Sequence, residues 1–380
     1  MARVRVYRSY SEALSEWRRS GVPEGALGRM DLATKQFFFV DQVTSEEIEP
    51  LIKAVEAKGG RGFVCRGERA LLSITPLGLE TMIMSESSDM VGELASALKN
   101  RFDERPPMLE WSSGSLDLSR PRVMGILNVT PDSFSDGGRH LDLEAAMRRA
   151  VQMKEEGADI IDVGGESTRP GSSSVSAEEE WSRISEVVRR ISEEVGLPVS
   201  VDTRRPEVAR KALLAGASMV NDVSGLNREM AEVVRDQGAG AVVMHMRGEP
   251  AIMQSETRYM DVVGETYAFL EKRIKDAVKI GVPRECLVVD PGLGFGKDLD
   301  GNLEIMSRLD EYRSMGRPVM LGASRKAFLG KIGGGDANDR LEGSLAAAAV
   351  ACWQGAHLFR VHDVKETVRT VRAVHAMKKG

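Results

Sequence analysis

The sequence predicts an α/β protein: a large domain of repeated β/α units preceded by a small α/β domain. Three observations carry that expectation. From Gly125 to Gly138 the chain reads GILNVTPDSFSDGG, an apolar strand pattern that runs straight into a loop dense in polar groups. From Ile160 to Gly171 it reads IIDVGGESTRPG, the same design one unit later. Further apolar strand patterns then alternate with helical ones. Strand, polar loop and helix in that order describe a parallel sheet whose ligand sites form where the strands end.

Eight strand candidates follow in order: VMGILN from Val123, IIDVGG from Ile160, VSVD from Val199, MVNDV from Met219, AVVMHM from Ala241, LVVDPG from Leu287, VMLGAS from Val319 and HLFRVHD from His357. The clearest helix between them runs from Ala177 to Val195, where Trp181, Ile184, Val188, Ile191 and Val195 share one face. Ser176 and Glu179 have the spacing of a capping box at its start. Leu143, Met147 and Ala150 form a similar face after the first strand, and Gly157 suits that helix's C-terminus. Eight such units fit a (β/α)8 barrel of the usual size, roughly 250 residues. A doubly wound sheet is the competing topology.

Ahead of the barrel pattern, PPMLEWSSGSLDLSRP mixes prolines, serines and a glycine between two periodic regions, so a domain boundary is expected there, with residues 1–112 on one side and 113–380 on the other. KQFFFVD, GFVCRG and ALLSIT read as short strands of the first domain, and the stretches from Glu46 to Lys58 and Met90 to Arg101 read as helices. The role of that domain is not legible in its residues.

Composition narrows the function classes. The chain has 380 residues, 42% hydrophobic and 29% charged, with a formal net charge of -5. There is no global basic field, so nucleic acid and membrane surfaces are not expected partners, and any anion must be held by locally placed Arg and Lys. The N-terminus lacks the continuous apolar segment of a signal peptide, and no stretch reaches the ~20 apolar residues of a membrane span, so a cytoplasmic protein is expected. Cys65, Cys286 and Cys352 are odd in number and far apart, which fits buried free thiols rather than a disulfide framework or a metal site.

Polar residues gather at the predicted strand ends, among them Asn128, Glu166, Asp202, Asn221, Asp222, Asp290, Ser324, Lys326, Arg360 and His362. Singly, each has a plainer alternative. Asp202 could cap the next helix, His245 reads as a satisfied core histidine, and Arg360 could pair with Asp363 or Glu366 at the surface. Together they are harder to explain without a ligand, because charged and amide groups are rarely buried unpartnered. Arg360 and His362 alternate on one strand, so their side chains share a face, as a phosphate clamp requires. The run GLGFGK from Gly292 to Lys297 lacks the Walker spacing and the dinucleotide-binding spacing, and reads as a tight turn that lets Phe295 lean over the site.

These motifs resemble those of the dihydropteroate synthases, over roughly the last 265 residues. The resemblance implies a TIM barrel and a transferase that joins 6-hydroxymethyl-7,8-dihydropterin diphosphate to 4-aminobenzoate through an SN1-like pterin cation, giving 7,8-dihydropteroate and diphosphate. By resemblance, the aspartate of VDT, the asparagine of ND, the aspartate of DPG and the lysine of SRK hold the pterin; here they are Asp202, Asn221, Asp290 and Lys326, with Met246 and Gly322 beside them. A carboxylate and an amide suit a 2-amino-4-oxo ring edge, much as in a base pair. Asn128, Thr168, Arg360 and His362 are expected at the diphosphate, with Asn128 also coordinating Mg2+, a hard cation that prefers oxygen. Phe134, Arg169, Pro170, Phe295, Ser324 and Lys326 are expected around 4-aminobenzoate. Asp136, Thr168, Arg169, Lys326, Arg360 and His362 carry the catalytic roles, with Asp136 folding over the cation. A homodimer and sensitivity to sulfonamides are further expectations. The pterin-binding domains of corrinoid methyltransferases share the barrel and the lower pterin site; SRK, RVHD and the STRP loop favour the synthases.

Overall fold

The computed structural model describes residues 3–7, 36–41, 44–65, 69–85, 89–102, 107–130, 138–166, 175–248, 257–336 and 339–379. Contacts divide the chain into two compact units, Met1–Glu104 with Asp310–Gly316, and Arg105–Leu309 with Arg317–Gly380.

The first unit holds strands β1 (Arg3–Tyr7), β2 (Gln36–Asp41), β3 (Arg61–Cys65) and β4 (Arg69–Ile74), with helices α1 (Ser45–Ala57), α2 (Pro76–Ser85) and α3 (Asp89–Phe102). The strands pair antiparallel in the order β1-β2-β4-β3. Alternate residues Phe38 and Val40 on β2 and Ala70, Leu72 and Ile74 on β4 pack with Ile48, Leu51 and Val55 of α1 and with Leu79, Met82, Val91 and Leu94 of α2 and α3. One sheet face thus meets the apolar stripes of three helices, which gives this unit a core of its own. Thr44 and Glu47 close a capping box at the start of α1.

The second unit opens with a hairpin, β5 (Met108–Trp111) and β6 (Gly114–Asp117), formed by the stretch whose composition reads as a break. Eight parallel strands follow: β7 (Arg122–Asn128), β8 (Ile160–Gly164), β9 (Val199–Asp202), β10 (Met219–Asp222), β11 (Gly240–Met244), β12 (Leu287–Asp290), β13 (Met320–Leu321) and β14 (Leu358–Val361). Each pairs with its predecessor along the sheet, β14 pairs with β7, and a bridge between Val289 and Val319 joins β12 to β13. The sheet therefore closes on itself as a (β/α)8 barrel, and the doubly wound alternative is excluded.

The main helices between the strands are α4 (Gly138–Glu156), α5 (Ala177–Arg190), α6 (Pro206–Leu214), α7 (Arg228–Gln237), α8 (Val262–Ile280), α9 (Leu299–Ser307), α10 (Ala327–Gly333), α11 (Leu341–Trp353) and α12 (Val364–Lys379). Ser176 caps α5 by accepting from Glu179 N at 3.1 Å, and the expected helix to Val195 finishes as a π turn from Ile191. The pattern beginning at Val319 yields strand only at Met320–Leu321; beyond it the chain turns out of the sheet towards Arg325, whose φ of 58° is left-handed.

The barrel floor is sealed by the hairpin. Leu109, Trp111 and Leu118 pack with Met124, Ile160, Met219, Val242, Val288, Met320 and Leu358, which come from seven of the eight strands. Ser112 N donates to Gly238 O at 2.7 Å and fixes the hairpin to the end of α7. Leu109 is 0% exposed. Leu109→Ala is expected to destabilise the barrel by about 2–5 kcal/mol through lost transfer energy and a cavity beneath it. Denaturant unfolding followed by tryptophan fluorescence checks this, and an unchanged midpoint would show that the hairpin is dispensable.

Candidate active site

Backbone register builds the upper rim of the barrel. Asn128 pairs with Gly164, Gly164 with Asp202, and Asp202 with Asn221, one continuous row across β7 to β10. Gly164 lies between the two polar side chains of that row. A Cβ there would stand 3.5 Å from Asp202 Cβ and 3.7 Å from Asn128 Oδ1.

Inside this rim lies a charged centre. Arg360 donates through Nε to Asp162 Oδ2 at 2.6 Å and through Nη2 to Asp202 Oδ2 at 2.5 Å. Asn221 Nδ2 donates to the same Asp162 oxygen at 3.2 Å. Asp162 is 0%, Asn221 2% and Asp202 6% exposed. Asp162 Oδ1, Asp202 Oδ1 and Asn221 Oδ1 are buried and have no hydrogen-bond partner among the described residues. Arg360 thus pairs neither with Asp363 nor with Glu366. Asp202 is not a helix cap either, since α6 is capped at Arg205.

Asp290 ends β12, where its Oδ1 accepts from Gly292 N at 2.7 Å, and a Cβ at Gly322 would lie 3.5 Å from its Oδ2. The GLGFG turn follows, with φ of 69°, 78° and 64° at Gly292, Gly294 and Gly296, a conformation that requires glycine. Lys297 bolts this turn from within. Its Nζ lies 2.9 Å from Gly292 O, 3.0 Å from Phe295 O and 3.0 Å from His245 Nδ1. Phe295 is thereby presented with its ring centre 3.8 Å from Lys326 Nζ, which also donates to Leu293 O at 2.5 Å. Arg325 keeps its left-handed backbone because Asp363 pairs with its side chain and Ser344 Oγ accepts from its amide.

Ser324 Oγ stands 3.1 Å from His362 Nδ1 and accepts from His362 N at 3.2 Å. Met246 follows the end of β11 and is half-buried. His245 is buried edge-on against Phe269, as a core histidine. Phe134, Asp136, Thr168, Arg169 and Pro170 lie outside the described residues.

Sequence reasoning missed three groups. Asp162 is one, although a carboxylate inside the apolar run IIDVGG was a visible signal. Lys297 is another, passed over once the Walker spacing failed. Arg205 is the third, paired with Glu166 at 2.7 Å and Glu180 at 2.5 Å, which gives Glu166 a structural partner; no spacing in the sequence reveals that cluster.

Burial governs the titrations. It pushes the Asp202 carboxyl up to about 7, against the pull of Arg360, and it brings the Lys326 ammonium down to about 7, against the pull of Asp290. Burial works against the charge of Arg360 as well, but Asp162 and Asp202 outweigh it and hold the guanidinium protonated. Burial raises Asp290, and burial with neighbouring Arg360 and Asp202 acting in opposite senses leaves Lys326 poised.

Asp202 binds its proton more tightly folded than unfolded, so its contribution to stability is full below its ordinary 3.8 and is lost as pH rises to about 7. Lys326 binds its proton less tightly folded, so its contribution is full above its ordinary 10.5 and is lost as pH falls to about 7. Unliganded stability is therefore expected to dip near neutrality. Asp202→Asn should flatten the acid limb and Lys326→Met the alkaline limb, as read by urea unfolding across pH 4 to 10; unchanged limbs in both variants would refute the assignment.

A profile of the family described as pterin binding enzyme matches residues 124–362. The chain is 47% identical over 263 residues to the dihydropteroate synthase of Escherichia coli, covering 69% of this chain and 93% of that one. It superposes on the Yersinia pestis dihydropteroate synthase solved with a sulfonamide drug complex, with a TM-score of 0.68 and 40% identity, covering 72% of this chain and 100% of that one. The Xanthomonas albilineans dihydropteroate synthase with 4-aminobenzoic acid gives a TM-score of 0.68 at 43% identity, covering 72% and 99%. The chain belongs to the pterin-binding enzymes and, among them, to the dihydropteroate synthases.

Proposed function

We propose that the barrel centre holds the pterin of 6-hydroxymethyl-7,8-dihydropterin diphosphate, and that the strand ends around it hold the diphosphate and 4-aminobenzoate. The observation that carries this assignment is the pair of buried acceptor oxygens on Asp202 and Asn221 that have no partner among the described residues. Buried acceptors without partners are unfavourable, and a ring edge bearing an amino group and ring N–H donors satisfies them together. Lys326 supplies the complementary donor, and Met246 and Phe295 supply apolar surface. Gly322 leaves Asp290 Oδ2 approachable.

Arg360 and His362 would meet the diphosphate with Thr168, and Asn128 would share a Mg2+ ion with it. The chemistry of the donor fits that ion: Asn128 offers one hard oxygen at the end of β7, 3.7 Å from where a Cβ on Gly164 would stand. Among the described residues no cluster of three His, Cys, Asp or Glu could hold a metal, so the remaining ligands would be phosphate oxygens and water. When bound, the ion neutralises charge on the leaving diphosphate. Arg360 and His362 add fixed donors at the same place, so the methylene C–O bond breaks with its electron pair leaving on diphosphate. The amine of 4-aminobenzoate then bonds to the pterin methylene and releases a proton. Phe295, Ser324 and Lys326 would line its pocket, completed by Phe134, Arg169 and Pro170, with Asp136 beside the cation.

Sulfonamides would compete for that pocket; the Yersinia pestis complex supports this. We further place the protein in the cytoplasm as a homodimer; no helix among the described residues is long and apolar enough to cross a membrane. The unit Met1–Glu104 contributes none of the site residues and is a separate domain in this proposal.

Pure protein given the pterin diphosphate, 4-aminobenzoate and Mg2+ should form dihydropteroate, and no product would overturn the assignment. Asp202→Ala and Lys326→Ala should each weaken pterin binding by about 2–4 kcal/mol, because a buried partner is left unpaired; calorimetry showing unchanged affinity in both would sink the pterin site. Calorimetry with 4-aminobenzoate should give binding only when pterin, diphosphate and Mg2+ are present, since the pocket needs them as a wall. Equal affinity in their absence would refute that order.

A further inference from the structure

Four buried carboxylates of the barrel take no part in the roles assigned above, and Asp261 among them caps α8 by accepting from Gly264 N at 2.9 Å. Asp222 closes its own turn by accepting from Ser224 N at 2.7 Å and Leu226 N at 2.8 Å, and Glu180 is paired with Arg205. Asp162 has no such local duty. It stands in the middle of β8, the second strand of the barrel, and its Oδ2 gathers Arg360 from the eighth strand and Asn221 from the fourth. Alternate strands contribute the layers that fill a barrel interior, and branched apolar side chains usually occupy them. Here one layer is polar instead.

We propose that Asp162 is a positioning residue for the condensation: its carboxylate sets the orientations in which the Arg360 guanidinium and the Asn221 amide meet the substrates. This rests on the assignment of Arg360 and Asn221 to substrate binding. Asn221 turns Nδ2 towards Asp162 Oδ2, and that leaves its Oδ1 as the acceptor for a pterin N–H. That oxygen is indeed without a partner among the described residues. The guanidinium is fixed in the same way. With Nε committed to Asp162 and Nη2 to Asp202, the plane of the fork is set and Nη1 is the nitrogen aimed elsewhere. An amide in place of the carboxylate has the same size, but it can donate. Asn221 could then flip, offering a donor where the pterin needs an acceptor, and Arg360 would keep one charged partner of two.

The test is a double-mutant cycle on the full chain. Asp162→Asn is expected to lower kcat/KM for the pterin diphosphate roughly 30-fold or more while leaving the KM for 4-aminobenzoate and the melting temperature close to those of the unsubstituted protein. Asn221→Ala and Arg360→Gln should each be impaired, and combining either with Asp162→Asn should add less than about threefold further loss, because Asp162 acts through them. Losses that multiply, or full activity of Asp162→Asn, would overturn the proposal. If Asp162→Asn fails to fold, Asp162→Ser, smaller and able to donate through its hydroxyl, enters the same cycle with the same expectation. Full activity of Asn221→Ala and Arg360→Gln would instead overturn the assignment of those two residues, and the proposal with it.

Discussion

The guanidinium of Arg360, held 2.6 Å from Asp162 and 2.5 Å from Asp202, is the interaction on which the barrel interior depends. Two carboxylates side by side in a protein core repel each other and lose their hydration, and neither is tolerable charged without a buried cation. Arg360 supplies it at a site that its own burial would otherwise oppose. Compensation is nevertheless incomplete: burial still pushes Asp202 to about 7, and an oxygen on each carboxylate remains unpartnered. A centre with unpartnered acceptor oxygens and too few hydrogen-bond donors is suited to a flat, donor-rich heterocycle.

The Phe295 side of the site is governed by backbone constraint rather than charge. Three glycines with positive φ make a turn that would be open and loose if nothing filled its concavity. Lys297, 2% exposed, fills it and satisfies two of its carbonyls. Burial forces its pKa well below the ordinary lysine value, and the local carbonyls and His245 compensate in geometry for what is lost in hydration. The turn thus becomes a rigid support for Phe295, whose ring meets Lys326. Lys326 itself is delivered by Arg325 in a left-handed conformation, a local strain sustained by the Asp363 pair and the Ser344 hydrogen bond.

An apolar seal and a polar rim occupy the two ends of the same strands. The apolar hairpin around Leu109 and Trp111 closes the N-terminal end, while Asn128, Asp202, Asn221 and Asp290 sit at the C-terminal end. Strand direction alone enforces that division, because every parallel strand presents its last residues to the same rim.

Much was legible in the residues themselves. Strand and helix periodicity is local, so all eight β/α units, the capping serine at Ser176 and three of the four strands of the N-terminal sheet could be read from spacing, while β1 at Arg3–Tyr7 was not. Motifs carry chemistry in adjacent residues, which is why Asp202, Asn221, Asp290, Lys326 and Arg360 could be named before the fold was known. Partners could not. Arg360 and Asp162 are 198 positions apart, and only the pairing of β14 back onto β7 brings their strands to opposite sides of β7. The hairpin beneath the barrel looked like a linker because its value lies in filling a cavity made by strands far along the chain. The sequence by itself determined which residues are polar, which are apolar and at what period they recur. Tertiary structure alone decided which charge neutralises which and which oxygens stay unpaired, because those depend on distances through space that no local pattern encodes.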